Sequence, residues 1–317
     1  MAIVRFSPHP LTLRQLQYAV AVAEHRSFRR AAQLCHVSQP ALSAQVAQLE
    51  DALGVRLFER DRRRVMATAA GAALIERARR LLVGADELVE LAQRHGDPFS
   101  GTVRLGVIPT IAPYLLPEVM PLLRQRFAKL TLVWREEKTS TLVELVQSGE
   151  LDGGVVALEA ELGELEHAVL GRDPFVFAAA PRHPLARSRK PVKADELVGE
   201  RVLLLDDGHC FRAQALSFCE QAGAEEMGFR ATSLPTLAQM VAGGAGVTLL
   251  PRIAVPTENR HHALKLRPFA PRVPERTIAL AWRRHSPLAA TLTPLAAAMR
   301  EAYEALEPTL DAALAAR

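Results

Sequence analysis

The chain has 317 residues, of which 49% are hydrophobic and 23% are charged. This composition is typical of globular proteins and long enough for about two domains, which excludes a disordered or fibrous chain as a global description. No apolar run approaches the ~18 residues of a membrane span, and no apolar secretion signal begins the chain. With three cysteines, an odd number, we expect a cytoplasmic protein without a disulfide framework or a membrane partner.

Positive charge is concentrated at the N-terminus. Residues 1–68 contain ten arginines, no lysine and five acidic residues, a net charge of +5, whereas the whole chain carries +4. This asymmetry predicts an anionic partner for the N-terminal part of the chain. The alternative is a basic surface that only faces water.

Three short helices and a two-stranded wing are predicted within residues 1–68, the first predicted domain. Each helix has a hydroxyl residue placed to cap its N-terminus, namely Thr12, Ser27 and Ser38. Gly54 is placed to end the third helix. Two helices joined by a tight turn and followed by a wing form an arrangement that reads DNA. The alternative is a small helical domain with a polar outer face.

The third helix is predicted to lie in the major groove of double-stranded DNA, because one of its faces is apolar and the other carries serine and glutamine. Glutamine can bond adenine through two hydrogen bonds, whereas arginines of the second helix and the wing would contact phosphates. The predicted DNA-contacting residues are Arg29, Arg30, Ser38, Gln39, Pro40, Ser43, Gln45, Arg62, Arg63 and Arg64.

Residues 69–98 are predicted to form a long linker helix. Alanine and leucine alternate at spacings of four and three from Leu74 to Ala92, a short heptad pattern. Such a face needs a partner, and a second copy of the chain is the simplest one. The alternative is packing of this helix against its own chain.

Residues 99–317 alternate between strand and helix patterns, which predicts parallel α/β sheets. We expect two lobes of the Rossmann-like type found in periplasmic binding proteins, with a cleft between them for a small molecule. Lobe I is assigned to residues 99–173 and 275–317 and lobe II to residues 174–274. Residues 159–167 are expected to form a loop or weak helix, and the chain beyond Pro308 to fray.

Cys210 and Cys219 are the candidate reactive residues. Cys210 is predicted to lie near the start of a helix after Gly208, where the helix dipole favours the thiolate that attacks peroxide. In a continuous helix the two Cα atoms would be roughly 13 Å apart, whereas a disulfide requires less than about 7 Å. A bond between them would therefore require refolding, with Cys210 reacting first and Cys219 resolving. The alternative is a pair of unrelated core cysteines. Cys35 is expected to be a buried small residue.

Residues 12–71 resemble the winged helix-turn-helix of LysR-type transcriptional regulators. The resemblance is carried by the strings Ser27-Phe28-Arg29-Arg30-Ala31-Ala32, Val37-Ser38-Gln39-Pro40-Ala41-Leu42-Ser43, Leu49-Glu50 and Leu57-Phe58-Glu59-Arg60. The linker helix and the two-lobed domain fit the same family. The resemblance implies a promoter-binding homodimer or tetramer that acts with RNA polymerase and is not an enzyme.

The chain is similar in particular to the peroxide-sensing members of that family. The similarity is carried by Gly208-His209-Cys210, Phe218-Cys219, Ile108-Pro109-Thr110, Phe229-Arg230-Ala231-Thr232-Ser233-Leu234 and Thr248-Leu249-Leu250-Pro251. It implies that hydrogen peroxide, the effector, is held near Cys210 by Thr110, Thr139, His209 and Arg276, without a cofactor. It also implies that oxidation rearranges a tetramer that activates antioxidant genes.

Three functions are therefore compared. The first is a peroxide-responsive regulator switched by Cys210 and Cys219. The second is a regulator of the same fold that binds a metabolite between its lobes, with bystander cysteines. The third is a thiol peroxidase, against which the basic DNA-reading domain argues. No metal site is expected, because the histidines show no ligand-like spacing.

Overall fold

A computed structural model describes residues 9–60, 65–93, 97–208, 210–271 and 273–315. The chain divides into two compact units, Met1–His95 and Gly96–Arg317. The first unit contains the three predicted helices, α1 (Leu13–His25), α2 (Phe28–Leu34) and α3 (Gln39–Leu53), followed by the wing strands β1 (Phe58–Arg60) and β2 (Val65–Ala67). The wing strands pair antiparallel, as a two-stranded wing requires.

The predicted helix ends in this unit are confirmed. Thr12 and Gln15 form a reciprocal capping box. Ser27 and Ser38 accept hydrogen bonds from backbone N–H groups three residues later. Gly54 ends α3 with a φ of 66°, in the left-handed region that favours glycine. These caps satisfy backbone groups that helix ends otherwise leave unpaired.

The turn between α3 and the wing is held by a buried carboxylate. Glu50 is only 2% exposed, and its Oε1 accepts hydrogen bonds from the backbone N–H of Leu57 at 2.8 Å and of Phe58 at 3.2 Å. Arg56 pairs with the other carboxylate oxygen at 2.9 Å. The carboxylate therefore fixes how the wing leaves α3.

The long helix α4 (Ala69–Gln93) is half covered by its own unit. Ile75 and Ala78 are buried in the core formed with α1 to α3. Further along, Leu81, Leu88 and Val89 are 52%, 69% and 54% exposed. Packing on its own unit is thus confirmed for the first half of the helix, whereas the second half leaves an apolar face uncovered and its pairing with a second copy stays a prediction.

The second unit contains nine strands and six α-helices among its described residues. The strands are β3 (Gly101–Val107), β4 (Leu130–Glu136), β5 (Gly153–Ala157), β6 (Leu165–Ala179), β7 (Arg201–Leu205), β8 (Glu225–Ala231), β9 (Val247–Pro251), β10 (Lys265–Pro268) and β11 (Glu275–Arg283). The helices are α5 (Ala112–Arg126), α6 (Thr139–Ser148), α7 (Cys210–Gln221), α8 (Leu234–Ala242), α9 (Val255–Glu258) and α10 (Ala289–Ala315).

These strands follow the order β4-β3-β5-β11-β6-β9-β7-β8, with β10 paired to β6. The long strand β6 belongs to both lobes, because its first part pairs with β11 and its last residues pair with β9 and β10. Each lobe is a mixed sheet, since β11 and β6 run antiparallel to their neighbours. The expectation of parallel sheets was therefore right only for pairs such as β3 and β4.

Two local expectations were wrong. Residues 165–167 belong to strand β6 and not to a loop, and their partly exposed, polar side chains conceal the alternation that marks a buried strand. Helix α10 continues to Ala315 through Pro308 and does not fray there. Its last turns are held because Leu310 is buried and Arg252 forms ion pairs with Glu307 and Asp311. None of the described helices is long and apolar enough to cross a membrane.

Candidate functional site

Thr110 and Thr139 lie at the same edge of lobe I. Thr110 follows β3, and Thr139 begins α6 after the neighbouring parallel strand β4. Both residues are buried, at 3% and 7% exposure. The hydroxyl of Thr139 has no hydrogen-bond partner among the described residues, which is unusual for a buried polar atom. The edge therefore offers an unused buried hydrogen-bonding group to a small polar ligand.

Arg276 orients the hydroxyl of Thr110. It lies on β11, is fully buried, and donates to Thr110 Oγ1 at 2.7 Å and to the Thr110 carbonyl oxygen at 2.9 Å. Its Nε and Nη2 contact Asp173 Oδ2 at 3.0 and 2.9 Å. Because Thr110 Oγ1 accepts from the guanidinium, its own proton is left to donate elsewhere. Arg276 thus affects this edge indirectly, by fixing the orientation of the Thr110 hydroxyl.

The buried Asp173 carboxylate balances the Arg276 charge. Its Oδ1 also accepts a hydrogen bond from the backbone N–H of Ile253 at 2.9 Å. Burial raises the pKa of the Asp173 carboxyl, and the Arg276 guanidinium and the Ile253 N–H act against that rise. This ion pair joins lobe I to the segment that follows β9, and with Thr110 it forms one connected polar network.

The loop before α7 is held by Lys138, the neighbour of Thr139. Lys138 Nζ donates to the Asp207 carbonyl oxygen at 2.7 Å and lies 3.7 Å from the Asp206 carboxylate. Gly208 has a φ of 89°, and a Cβ added there would lie 3.0 Å from Lys138 Cδ. The backbone conformation therefore favours glycine here, and the lysine side chain packs closely against it. This contact brings the Thr139 edge to the segment that leads into Cys210.

Helix α7 begins at Cys210, which confirms the predicted helix start, and it continues unbroken past Cys219. Aromatic pairs anchor both ends, because Phe211 packs on Phe175 and Phe218 packs on Phe269, each with ring centroids 5.0 Å apart. Cys219 is a free thiol, 3% exposed, within the core of the unit. In this state the helix keeps the two cysteine Cα atoms roughly 13 Å apart.

Glu159 of lobe I contacts α7, and this contact was not predicted from the sequence. Glu159 Oε1 accepts from the Thr277 backbone N–H at 2.7 Å, and Oε2 accepts from Gln214 Nε2 at 3.3 Å. A carboxylate only accepts hydrogen bonds, so it turns the Gln214 amide nitrogen outward. Within the described part of the chain, Gln214 Oε1 is buried without a hydrogen-bond partner, one helical turn after Cys210. The only signal of this in the sequence was the i, i+4 spacing of Gln214 from Cys210.

Arg212, two residues after Cys210 in the sequence, does not carry an uncompensated positive charge. Its guanidinium bonds Asp207 Oδ1 at 2.9 Å and Glu226 Oε1 at 2.9 Å, so two carboxylates compensate its charge. These contacts raise the pKa of Arg212, chiefly through the hydrogen bond with Glu226. Its role is to tie the 206–208 loop to β8.

The exposed face of α3 carries the residues predicted to contact DNA. Ser38, Gln39 and Pro40 are exposed at its N-terminal end, and Ser43 and Gln45 are half-buried beside them. Arg29 and Arg30 are exposed on α2. The opposite face is buried through Leu42, Val46 and Leu49. Arg62, Arg63 and Arg64 of the wing, and His209 of the sensing site, lie outside the described residues.

The structure therefore brings Thr110 and Arg276 into direct contact and places Thr139 at the same edge, one residue from the Lys138 contact with the α7 loop. Cys219 lies away from that edge in the core. Cys35 is half-buried at the end of α2, in the other unit, and burial raises the pKa of its thiol. Among the described residues, no group of three or more His, Cys, Asp or Glu side chains could hold a metal ion.

Cys219 is expected to be nearly unreactive at neutral pH while the protein is reduced and folded. Burial, with a smaller contribution from Glu220, raises the pKa of the Cys219 thiol from 9.0 to about 12. The neutral, buried Cys219 thiol therefore contributes fully to the free energy of unfolding below pH 9, and this contribution is lost as the pH rises toward 12. Alkylation of Cys219 by iodoacetamide, followed by peptide mass spectrometry, should keep accelerating well above pH 9. In denaturant the rate should level near pH 9, and levelling there in the folded protein would contradict this prediction.

Comparison with known proteins matches both units to described families. Residues 13–72 match the family described as bacterial regulatory helix-turn-helix protein, lysR family. Residues 96–304 match the family described as LysR substrate binding domain. The two matches lie in the helix-turn-helix unit and the two-lobed unit respectively.

Relatives with similar sequences cover nearly the whole chain. A protein of Pectobacterium carotovorum subsp. carotovorum named hydrogen peroxide-inducible genes activator is 45% identical over 95% of this chain and 100% of its own length. The DNA-binding transcriptional dual regulator OxyR of Escherichia coli strain K12 is 46% identical over 92% of this chain and 95% of its length. The structure of a full-length OxyR variant from Pseudomonas aeruginosa is similar with a TM-score of 0.74 and 34% identity, covering 92% of this chain and 96% of that one.

Proposed function

The chain belongs to the LysR family of bacterial helix-turn-helix regulators, and on that premise we propose that it is a peroxide-sensing transcription regulator switched by a disulfide between Cys210 and Cys219. The names of its relatives, hydrogen peroxide-inducible genes activator and OxyR, support the effector. The observation that carries the proposal for this chain is the position of Cys210. It begins α7 directly after a glycine turn that Lys138 holds against the Thr139 edge.

The first chemical step is oxidation of the Cys210 thiolate. Its sulfur attacks one oxygen of hydrogen peroxide, an S–O bond forms, the O–O bond breaks, and the departing hydroxide takes up a proton as water. Sulfur is oxidised by two electrons and peroxide is reduced. The start of a twelve-residue helix favours the thiolate, because the positive end of the helix dipole lies there.

The second step is attack of Cys219 on the sulfenic acid of Cys210. The S–S bond forms, the S–O bond breaks, and hydroxide leaves as water. Because Cys219 is buried and its pKa is about 12, it stays protonated until the helix opens. Opening exposes the thiol to water, returns its pKa toward an ordinary value, and permits the attack.

Peroxide is proposed to bind between the Thr110–Thr139 edge and Cys210. The Thr110 hydroxyl, held by Arg276, can donate to a peroxide oxygen, and the unpartnered Thr139 hydroxyl can donate or accept. Gln214 Oε1, which Glu159 turns inward, is a further acceptor for a peroxide proton. His209, Thr110, Thr139 and Arg276 keep the roles that the family resemblance implies, and no cofactor is needed.

Formation of the disulfide is proposed to melt α7 and so change the shape of the second unit. The cysteine sulfurs cannot meet while the helix is continuous. Bringing them together must release Phe218 from Phe269 and draw Cys219 out of the core. The contact of Glu159 with Gln214 favours the reduced state because it depends on the helical conformation of α7, and the contact of Lys138 with Asp207 holds the loop that leads into the helix.

The output is proposed to be altered binding of promoter DNA by the first unit. Exposed Ser38, Gln39 and Pro40 on α3 are placed to contact bases, and Arg29 and Arg30 to contact phosphates. The uncovered apolar half of α4 is the surface for a second copy, in a dimer or a tetramer. RNA polymerase is the expected partner at activated promoters, and the cytoplasm, where thiols stay reduced, is the expected compartment.

The decisive experiment treats the reduced full-length protein with one equivalent of peroxide and traps free thiols before digestion. We expect mass spectrometry to detect one intramolecular Cys210–Cys219 disulfide, together with faster amide hydrogen exchange across residues 210–221. Recovery of both cysteines as free thiols, or oxidation without a change in amide hydrogen exchange, would contradict the proposed switch.

A second candidate is a regulator of the same fold that responds to a metabolite between its lobes. The unpartnered Thr139 hydroxyl is the observation that favours it, since any small polar ligand could use that group. An organic acid that raises the melting temperature equally in the wild type and in a Cys210→Ser/Cys219→Ser double variant would support this candidate over the first.

A further inference from the structure

A strongly basic loop on lobe II has no part in the sensing site. Residues 181–193 contain five cations, and no acidic residue occurs between Asp173 and Asp195. All five cations are exposed. The cations are Arg182, Arg187, Arg189, Lys190 and Lys193. The rest of the unit carries more acidic than basic residues, so this loop, which we term the basic loop, is a local concentration of positive charge.

The backbone of the basic loop is held rigidly by a buried arginine. Arg267 is 2% exposed and donates to the carbonyl oxygens of Leu185 at 2.9 Å, Lys190 at 2.7 Å and Pro191 at 3.4 Å. Glu196 pairs with the same guanidinium at 3.1 Å and neutralises it. The loop conformation is therefore set before any partner binds, which lowers the entropy cost of binding.

Two carboxylates close to the loop are already engaged. Glu196 pairs with Arg267, and Glu200 lies 3.2 Å from His183 Nε2. In the described part of the chain, Arg182 and Lys190 have no carboxylate partner, and neither does Arg187. Like charges held near one another in this way favour an anionic partner that relieves their repulsion.

We propose that the basic loop binds the phosphate backbone of DNA, outside the stretch that the helix-turn-helix contacts. Protein partners are usually held by apolar or aromatic anchors, and here the apolar residues Leu185 and Val192 turn toward the core. Polar, positively charged surfaces are instead typical of DNA interfaces. A chain that already binds DNA through its first unit keeps phosphates close, so a weak second contact is effective. This inference rests on the proposed DNA binding but not on peroxide sensing.

The test compares two triple variants of the reduced full-length protein on a DNA duplex of random sequence. The first is Arg182→Gln/Arg187→Gln/Lys190→Gln. The control is Arg124→Gln/Arg284→Gln/Arg300→Gln, which removes the same charge from exposed positions elsewhere in the unit. Fluorescence anisotropy measures the binding constant over a range of salt concentrations, and thermal unfolding checks the fold of each variant.

We expect the loop variant to flatten the slope of log K against log salt by about 0.9 for each phosphate that it no longer neutralises, and so by up to about 2.7 per chain. The control should keep the wild-type slope. An unchanged slope in the loop variant would overturn the proposal, as would equal flattening in both variants. Failure of the wild type to bind any DNA would instead contradict the proposed function.

Discussion

Replacing Cys210 by serine is expected to abolish the response to peroxide. Serine is similar in size to cysteine and is tolerated at the start of a helix, but it cannot form a thiolate. The O–O bond of peroxide is therefore not attacked, and no disulfide forms. The measurement is transcription from a peroxide-responsive promoter, located by footprinting with the wild-type protein, in reactions with and without peroxide. The wild type should change its output, and the variant should give one constant level.

Two control variants separate sensing from folding. Cys35→Ser should respond as the wild type does, because Cys35 belongs to the first unit and is not part of α7 or of the candidate site. Cys219→Ser should still be oxidised at Cys210, and a dimedone adduct of the sulfenic acid should accumulate because the resolving thiol is missing. A full transcriptional response by Cys210→Ser would refute the sensing mechanism, whatever the behaviour of the controls.

Replacing Arg276 by methionine is expected to cause the largest loss of stability. It leaves the Asp173 carboxylate fully buried without a counter-charge and removes the donors to Thr110. Breaking a buried ion pair by removing one partner costs about 3–5 kcal/mol. Urea unfolding of the reduced protein at neutral pH, followed through the transition of the second unit, should report a loss of this size.

The double variant Arg276→Met/Asp173→Asn tests the reason for that loss. It removes both buried charges, while the asparagine oxygen can still accept the Ile253 N–H. We expect it to regain much of the stability that the single variant forfeits. The rate of Cys210 oxidation should be lower than in the wild type in both variants, because methionine cannot donate a hydrogen bond to the Thr110 hydroxyl. Equal destabilisation by the single and the double variant would show that the charge pairing is not the cause.

Local elements could be predicted from the sequence because their signals lie within a few residues. Thr12, Ser27 and Ser38 cap helices from the positions where their hydroxyls reach N–H groups three residues on. The start of a helix at Cys210 followed from its position after Gly208. By contrast, β8 and β10 were not predicted, because β8 lies at a sheet edge with mostly exposed residues and no alternation of apolar and polar side chains, and β10 is only four residues long.

For the site, the sequence indicated which residues take part but not which side chains bond to them. The resemblance named Thr110, Thr139 and Arg276 together, yet gave no indication that the guanidinium is held by Asp173 and reaches the edge through a threonine. Glu159 was assigned to a featureless acidic segment, although it contacts both Thr277 and Gln214. A carboxylate in a loop has no periodicity from which such a partner can be inferred.

The order of amino acids alone determined the two-unit plan, the helix ends, the basic DNA-reading surface and the spacing that keeps Cys210 and Cys219 apart along one helix. Folding in three dimensions decided which side chains hold that helix and its site in place. The bonds of Arg276 to Thr110, of Lys138 to Asp207 and of Glu159 to Gln214 join residues 166, 69 and 55 positions apart. Contacts over such distances depend on how strands and helices pack, because neither caps nor periodicity extend beyond a single element.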